Sequence, residues 1–158
     1  MKKRFDPREK TYDERETLIR NRVYKHGLFV LAALVLADML FREQGTPWAQ
    51  GIYNHLVYLA AVAAFVFIEF AVRGVYYGRR DRPVIALITV LLWAGVGGFR
   101  IHNNISIMGY LGASIMENGM LSLRGAYVIT DCVLIFACLC VAVRAVVDIC
   151  RDRKAKES

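Results

Sequence analysis

The chain has 158 residues, 56% of them hydrophobic, with a formal net charge of +7. That length suits one compact unit, so residues 1–158 read as a single domain. In a soluble domain the basic balance would favour nucleic acid, but here the charges are segregated from the apolar residues. That arrangement excludes a nucleic-acid partner and points to a membrane protein with basic flanks.

The chain opens with a charged segment, residues 1–25, that predicts a juxtamembrane helix. Asp6-Pro7-Arg8-Glu9 reads as a helix start, with Asp as N-cap and Glu three residues on, and Asp13-Glu14-Arg15-Glu16 repeats that grammar. The helix therefore begins at Pro7 or restarts at Glu14. Ile19, Val23, Gly27 and Val30 line one face at helical spacing. The segment either enters the bilayer as one long helix or bends near His26-Gly27 and lies in the interface. Asp13, Glu14 and Glu16 alternate with Arg15 and Arg20, which favours a solvated helix face over catalytic carboxylates.

Four apolar runs follow, about 26–41, 51–72, 83–99 and 125–149, each near the ~17–25 residues needed to cross a bilayer. The expected fold is thus all-α, an integral membrane four-helix bundle. Between the first two runs, Gly45-Thr46-Pro47-Trp48 predicts an external turn, with Trp48 and Tyr53 at the outer interface. Ala60, Ala61, Ala63 and Ala64 suit close helix packing in the second span. Gly78 to Pro83 should end one helix and start the next, and Gly95, Gly97 and Gly98 permit close packing or a break. Residues 99–124 read as a partly helical external segment. Within it, 105–117 is too short to span and is expected to lie in the interface or dip back between the spans. Asn118-Gly119 predicts a turn before the fourth span. Cys132, Cys138, Cys140 and Cys150 read as small buried hydrophobes, and no cofactor or metal is expected.

Lysine and arginine placement sets the expected orientation. Of 21 such residues, nine lie in 1–25, four in 73–82 and four after Cys150, against one in 42–50 and two in 99–124. Positive charge is retained on the cytoplasmic side, so both termini are expected there.

Charges inside the spans are the sharpest candidates, because a buried ion in hydrocarbon is costly. They fall into an outer layer (Asp38, Asp131, with Arg100, His55 and His102) and an inner layer (Glu69, Arg73, Arg144, Asp148). Glu69–Arg73 and Arg144–Asp148 are four apart, so each pair can neutralise itself, and Asp38 can pair with Arg42. Asp38 and Asp131 are either a proton or cation site or a pair of register pins. His55, His102 and Glu117 form a weaker external polar set.

The juxtamembrane start YDERETLIRNRVYKHG, the four spans and the basic turn YYGRRDRP resemble small bacterial four-span membrane proteins marked by an Asp-Glu-Arg-rich segment before the first span. Such proteins have no established activity, so the resemblance implies location alone. The second span, AVAAFVFIEFAVRG, lacks the Arg/Asn/Glu pattern of glutathione-using four-span enzymes. The expected function is therefore non-enzymatic: an accessory, sensor or immunity-type protein that meets a protein partner, or a further copy of itself, besides the lipid bilayer. Arg15, Arg20 and Arg22 are its candidate contacts. The competing expectation is a small oligomeric transporter that uses Asp38, Glu69 and Asp131.

Overall fold

Asp13 opens the first helix by the grammar its sequence carries. A computed structural model describes residues 13–76 and 83–157. In it, Asp13 precedes α1 (Glu14–Glu43) and forms a capping box with Glu16. The Asp13 side chain accepts from the Glu14 amide at 2.7 Å, and the Asp13 amide donates to Glu16 Oε2 at 3.1 Å. Of the two starts expected, the second is observed. The first, at Asp6-Pro7, lies outside the described residues, as does most of the Gly78–Pro83 turn. The helix is continuous through His26 and Gly27, so the bent interfacial alternative does not occur.

Three more long helices follow: α2 (Tyr53–Arg73), α3 (Pro83–Leu111) and α4 (Leu123–Glu157). All four are long and apolar enough to cross a membrane, which makes the chain a multi-pass, all-α membrane protein. At about 1.5 Å per residue, α2 matches a hydrocarbon layer of ~30 Å, while the others overshoot it. α2 and α4 form the central pair, with α1 packed on α2 and α3 on α4. Only Val90 and Met108 of α3 are buried, so nearly all of that helix faces outward.

The region between the third and fourth spans is partly helical, as expected, but 105–117 departs from expectation. Residues 105–117 are not a separate helix. α3 runs unbroken through Gly95, Gly97 and Gly98 to Leu111, because nothing between Phe99 and Leu111 removes a backbone donor and extending a formed helix gains a bond per residue. Gly97 serves packing: a Cβ there would lie 3.0 Å from Ile135 Cγ1 on α4. Gly112, at φ 65°, ends α3.

What remains of the segment is a two-residue hairpin, with β1 (Met116–Glu117) antiparallel to β2 (Met120–Leu121). Asn118 and Gly119 both have positive φ, the requirement of the turn between them. Ser122 then caps α4, its Oγ accepting from the Gly125 amide at 3.1 Å.

The hairpin is fastened to the α1–α2 loop. The Leu121 amide donates to Trp48 O at 2.8 Å, and the Gln50 amide to Leu121 O at 3.1 Å. Ala49, Leu121 and Ala126 are buried together beneath this seam, with Trp48 and Tyr53 against them. Two further cores lie toward the opposite end: Val23, Phe70 and Val75 between α1 and α2, and Ala71, Val90, Val141 and Ala142 among α2, α3 and α4. Alanines at buried positions let these helices approach closely where lipid supplies no hydrophobic drive between them. The cysteines depart from expectation, because Cys132 and Cys150 are exposed on α4 and only Cys138 and Cys140 are partly covered.

Glycine substitutions test this packing. A Cβ on Gly125 would lie 2.3 Å from Ile115 O, whereas one on Gly95 would meet nothing within 4 Å. Gly125→Ala should lower stability by about 1–3 kcal/mol through forced backbone shifts. Gly95→Ala should be neutral or gain up to about 1 kcal/mol of helix propensity. Thermal unfolding of the purified variants in mild detergent measures both.

Candidate functional site

The charged residues inside the spans fall into two hydrogen-bonded clusters, one simple pair and one carboxylate whose only cation comes from another helix. The first cluster surrounds Asp38, in the last part of α1. Its Oδ2 accepts from Arg42 Nε at 2.9 Å and from Asn54 Nδ2 at 2.6 Å, and its Oδ1 accepts from Trp48 Nε1 at 3.0 Å. The Trp48 N–H also reaches the Tyr58 hydroxyl at 2.8 Å. Asn54 is 0% exposed, and its carbonyl oxygen lies 2.8 Å from His55 Nδ1. Since the Asn54 amide already donates to Asp38, that histidine nitrogen is the donor. Arg42 extends further, to Gly51 O at 3.0 Å. One carboxylate thus ties together the end of α1, the loop and the start of α2.

The second cluster surrounds Glu69. Its Oε1 lies 2.8 Å from His26 Nδ1 on α1 and accepts from Arg73 Nε on its own helix at 2.8 Å. The other oxygen, Oε2, is buried without a hydrogen bond. Beside this cluster Arg20 donates to Val75 O at 2.7 Å, with its guanidinium 4.7 Å above the Phe70 ring. Arg144 and Asp148 form an ion pair within α4 at 3.1 Å.

Asp131 differs from both. It lies on α4, about 12 Å along the helix from Leu123, and is 3% exposed. Its Oδ2 accepts no hydrogen bond among the described residues. The cation beside it is Arg100 of α3, whose Nε is 3.4 Å away. Asp131 and Arg100 line a cavity of about 420 Å³ bounded by α2, α3 and α4, otherwise walled mainly by apolar side chains. That size falls in the range of small-molecule sites.

The three i, i+4 pairs expected from spacing are all formed: Asp38–Arg42, Glu69–Arg73 and Arg144–Asp148. Asp131 meets Arg100, which the sequence places in the same outer layer. The external set does not converge. His55 turns to Asn54, His102 is exposed on α3, and Glu117 lies in the hairpin. Among the described residues no three of His, Cys, Asp and Glu are grouped to hold a metal ion. Arg15 and Arg22 are exposed on α1, whereas Arg20 is engaged with α2 and the residue after Gly74.

Sequence reasoning found Arg42 beside Asp38 but missed its other donors, Trp48 and Asn54, and the His26–Glu69 contact. Asn54, an amide inside an apolar run, carried a signal that a carboxylate stood opposite. Trp48 carried none, since a tryptophan at that depth fits the interface equally well. Comparison of the chain with protein-family models, curated proteins and solved structures returns no match. The functional reading therefore rests on the residues.

Removing one partner should separate the two kinds of pair. Asp38→Ala takes the carboxylate from Asn54 Nδ2 and leaves Arg42 with Gly51 O and Trp48 with the Tyr58 hydroxyl, and should cost about 3 kcal/mol. Asp148→Ala breaks a half-exposed pair within one helix and should cost roughly 0.5 kcal/mol or less. The two unfolding midpoints, measured in the same detergent, give the comparison. Trp48 emission should shift to the red in Asp38→Ala alone.

Proposed function

We propose that the chain is a multi-pass protein of a bacterial cytoplasmic membrane, with both termini inside, that works by binding a protein partner rather than by catalysis. An accessory subunit, a sensor or an immunity-type protein fits this reading. The observation that carries it is a stripe on the first turns of α1. Arg15, Leu18, Arg22 and Lys25 follow helical spacing along one face, and all four are exposed, Leu18 at 70%. A leucine framed by three cations complements an acidic amphipathic helix, since its apolar contact and its charges sit on one line. Arg20 points away from this stripe and anchors the helix to Val75 O, so the stripe is presented on a fixed support. The resemblance to small bacterial four-span proteins supports the same location.

The competing reading, an oligomeric transporter using Asp38, Glu69 and Asp131, needs carboxylates that can exchange protons or ions along a path. Asp38 holds three donors, and Glu69 holds His26 and Arg73 on one oxygen while its other keeps no hydrogen bond; both are tied to neighbouring cations and serve as pins. Asp131 alone favours the transporter.

Co-purification in mild detergent tests the proposal. A discrete heteromer should form with the native chain and be lost in Arg15→Glu/Arg22→Glu, while the variant still inserts. A heteromer that survives charge reversal would sink the proposed surface, and capture of anionic lipid alone would assign the stripe to headgroups. Proton or ion flux in liposomes that disappears in Asp131→Asn would instead establish the transporter.

A further inference from the structure

Asp131 is an intramembrane carboxylate that both lines a cavity and keeps an oxygen free of hydrogen bonds among the described residues. Glu69 also keeps one such oxygen, but it does not line this cavity, and its other oxygen holds His26 and Arg73. A buried carboxylate without a full set of donors is expensive in hydrocarbon. Arg100 offsets this only in part: at 3.4 Å its Nε makes an ion pair without a hydrogen bond, and its side chain is 51% exposed. The guanidinium is thus free to swing toward the headgroups while the carboxylate stays fixed on the central helix.

The walls around that oxygen are apolar. Phe67 of α2, Trp93 and Val96 of α3, and Leu134, Ile135 and Cys138 of α4 bound the space. Phe67, Trp93 and Val96 are also exposed on the outer surface of the helices, so the cavity has its mouth toward the hydrocarbon. A ligand that enters there is already dissolved in lipid. To meet Asp131 it must present a donor, because an ionised carboxylate only accepts. A positive donor gains the charge attraction as well, which is strong in so dry a setting.

We infer that the cavity between α2, α3 and α4 is a binding site for a lipophilic amine, with the ammonium on Asp131 and the apolar body against Trp93, Val96, Leu134 and Ile135. Arg100 is the displaceable partner: it holds the carboxylate while the site is empty and yields when the ammonium arrives. This site is independent of the partner-binding stripe on α1, and either can fail without the other. The same ammonium chemistry is available from a free amine or from an ethanolamine headgroup.

Three probes with one apolar cage and different heads test the site: 1-adamantylamine, 1-adamantanol and 1-adamantanecarboxylate. Equilibrium binding of labelled amine is measured on the full chain in phosphatidylcholine nanodiscs. Saturable binding of one amine per chain is expected, weaker for the alcohol and absent for the carboxylate. Asp131→Asn keeps the shape of the side chain and should weaken the amine roughly tenfold or more, the scale of one charged hydrogen bond, while barely changing the alcohol. Cys138→Phe, which fills the cavity without touching the carboxylate, should abolish binding of both. Circular dichroism and elution matching the native chain show that each variant is folded. Replacing part of the lipid by phosphatidylethanolamine separates the sources: competition identifies the headgroup as occupant, and unchanged binding identifies a free amine. Non-saturable binding, equal affinity in native and Asp131→Asn chains, or preference for the carboxylate would each overturn the assignment.

Discussion

A carboxylate carried into hydrocarbon must find donors on the protein, since water is not there to supply them. Insertion scales put an aspartate at a helix centre at about 2.5–3.5 kcal/mol, even with relaxation. This constraint organises the structure more than apolar packing does, because lipid competes with side chains for every apolar surface. Around Asp38 the requirement is met by three separate pieces of chain: Arg42 from the same helix, Trp48 from the loop and Asn54 from the next helix. Those pieces are thereby fixed in relation to one another. The hairpin is fixed in turn, because the Trp48 backbone that presents the indole also accepts from the Leu121 amide. A single charge so placed holds α1, α2 and the start of α4 in register at one end of the bundle.

At the other end the same constraint is met differently. Glu69 takes one partner from its own helix and one from α1, and Arg20 closes the gap to Val75. The two small cores toward this end are built from alanine and valine with Phe70 as their one large side chain, so they add close approach more than buried area. α1 therefore depends on polar ties at both ends, with Gly27 between them permitting contact with Val66. Among the described residues α3 has one polar tie to a neighbouring helix, the Arg100–Asp131 ion pair. It leans on α4 along its length, exposes most of its apolar surface, and carries the only cation facing Asp131 among the described residues.

Much of the fold was legible because the bilayer simplifies the code. Length and apolarity gave four helices, and the capping residues gave the start of α1. The i, i+4 pairs were legible for the same reason: spacing along a helix is fixed by its geometry. Residues 105–117 were misread because length was judged against the bilayer alone. A helix already formed by Pro83–Phe99 needs no membrane to continue, and no proline or local charge cluster stops it before Gly112. The Asp38 network was hidden for another reason. Its donors come from three places whose proximity depends on how the loop folds back, and an aromatic residue at the interface looks the same whether or not its N–H is engaged. Charges four apart can be paired on paper; charges brought together by tertiary structure cannot.

That distinction explains why two aspartates placed in one outer layer by the sequence have different fates. Asp38 stands five residues before the end of α1, within reach of a loop whose backbone and side chains can fold over it. Asp131 stands eight residues inside α4, where its surroundings are the flanks of other helices. At that depth only a long side chain from a neighbouring helix can approach, and Arg100 does so without completing a hydrogen bond. Depth sets how many donors the protein can bring to a carboxylate. Near an end the shortage is made good by loops, and the charge becomes a fastening. Farther in it is not, and the charge is left with capacity for something else. The free oxygen of Asp131 follows from its position on the central helix, and so does its suitability for a ligand that arrives through the lipid carrying its own donor.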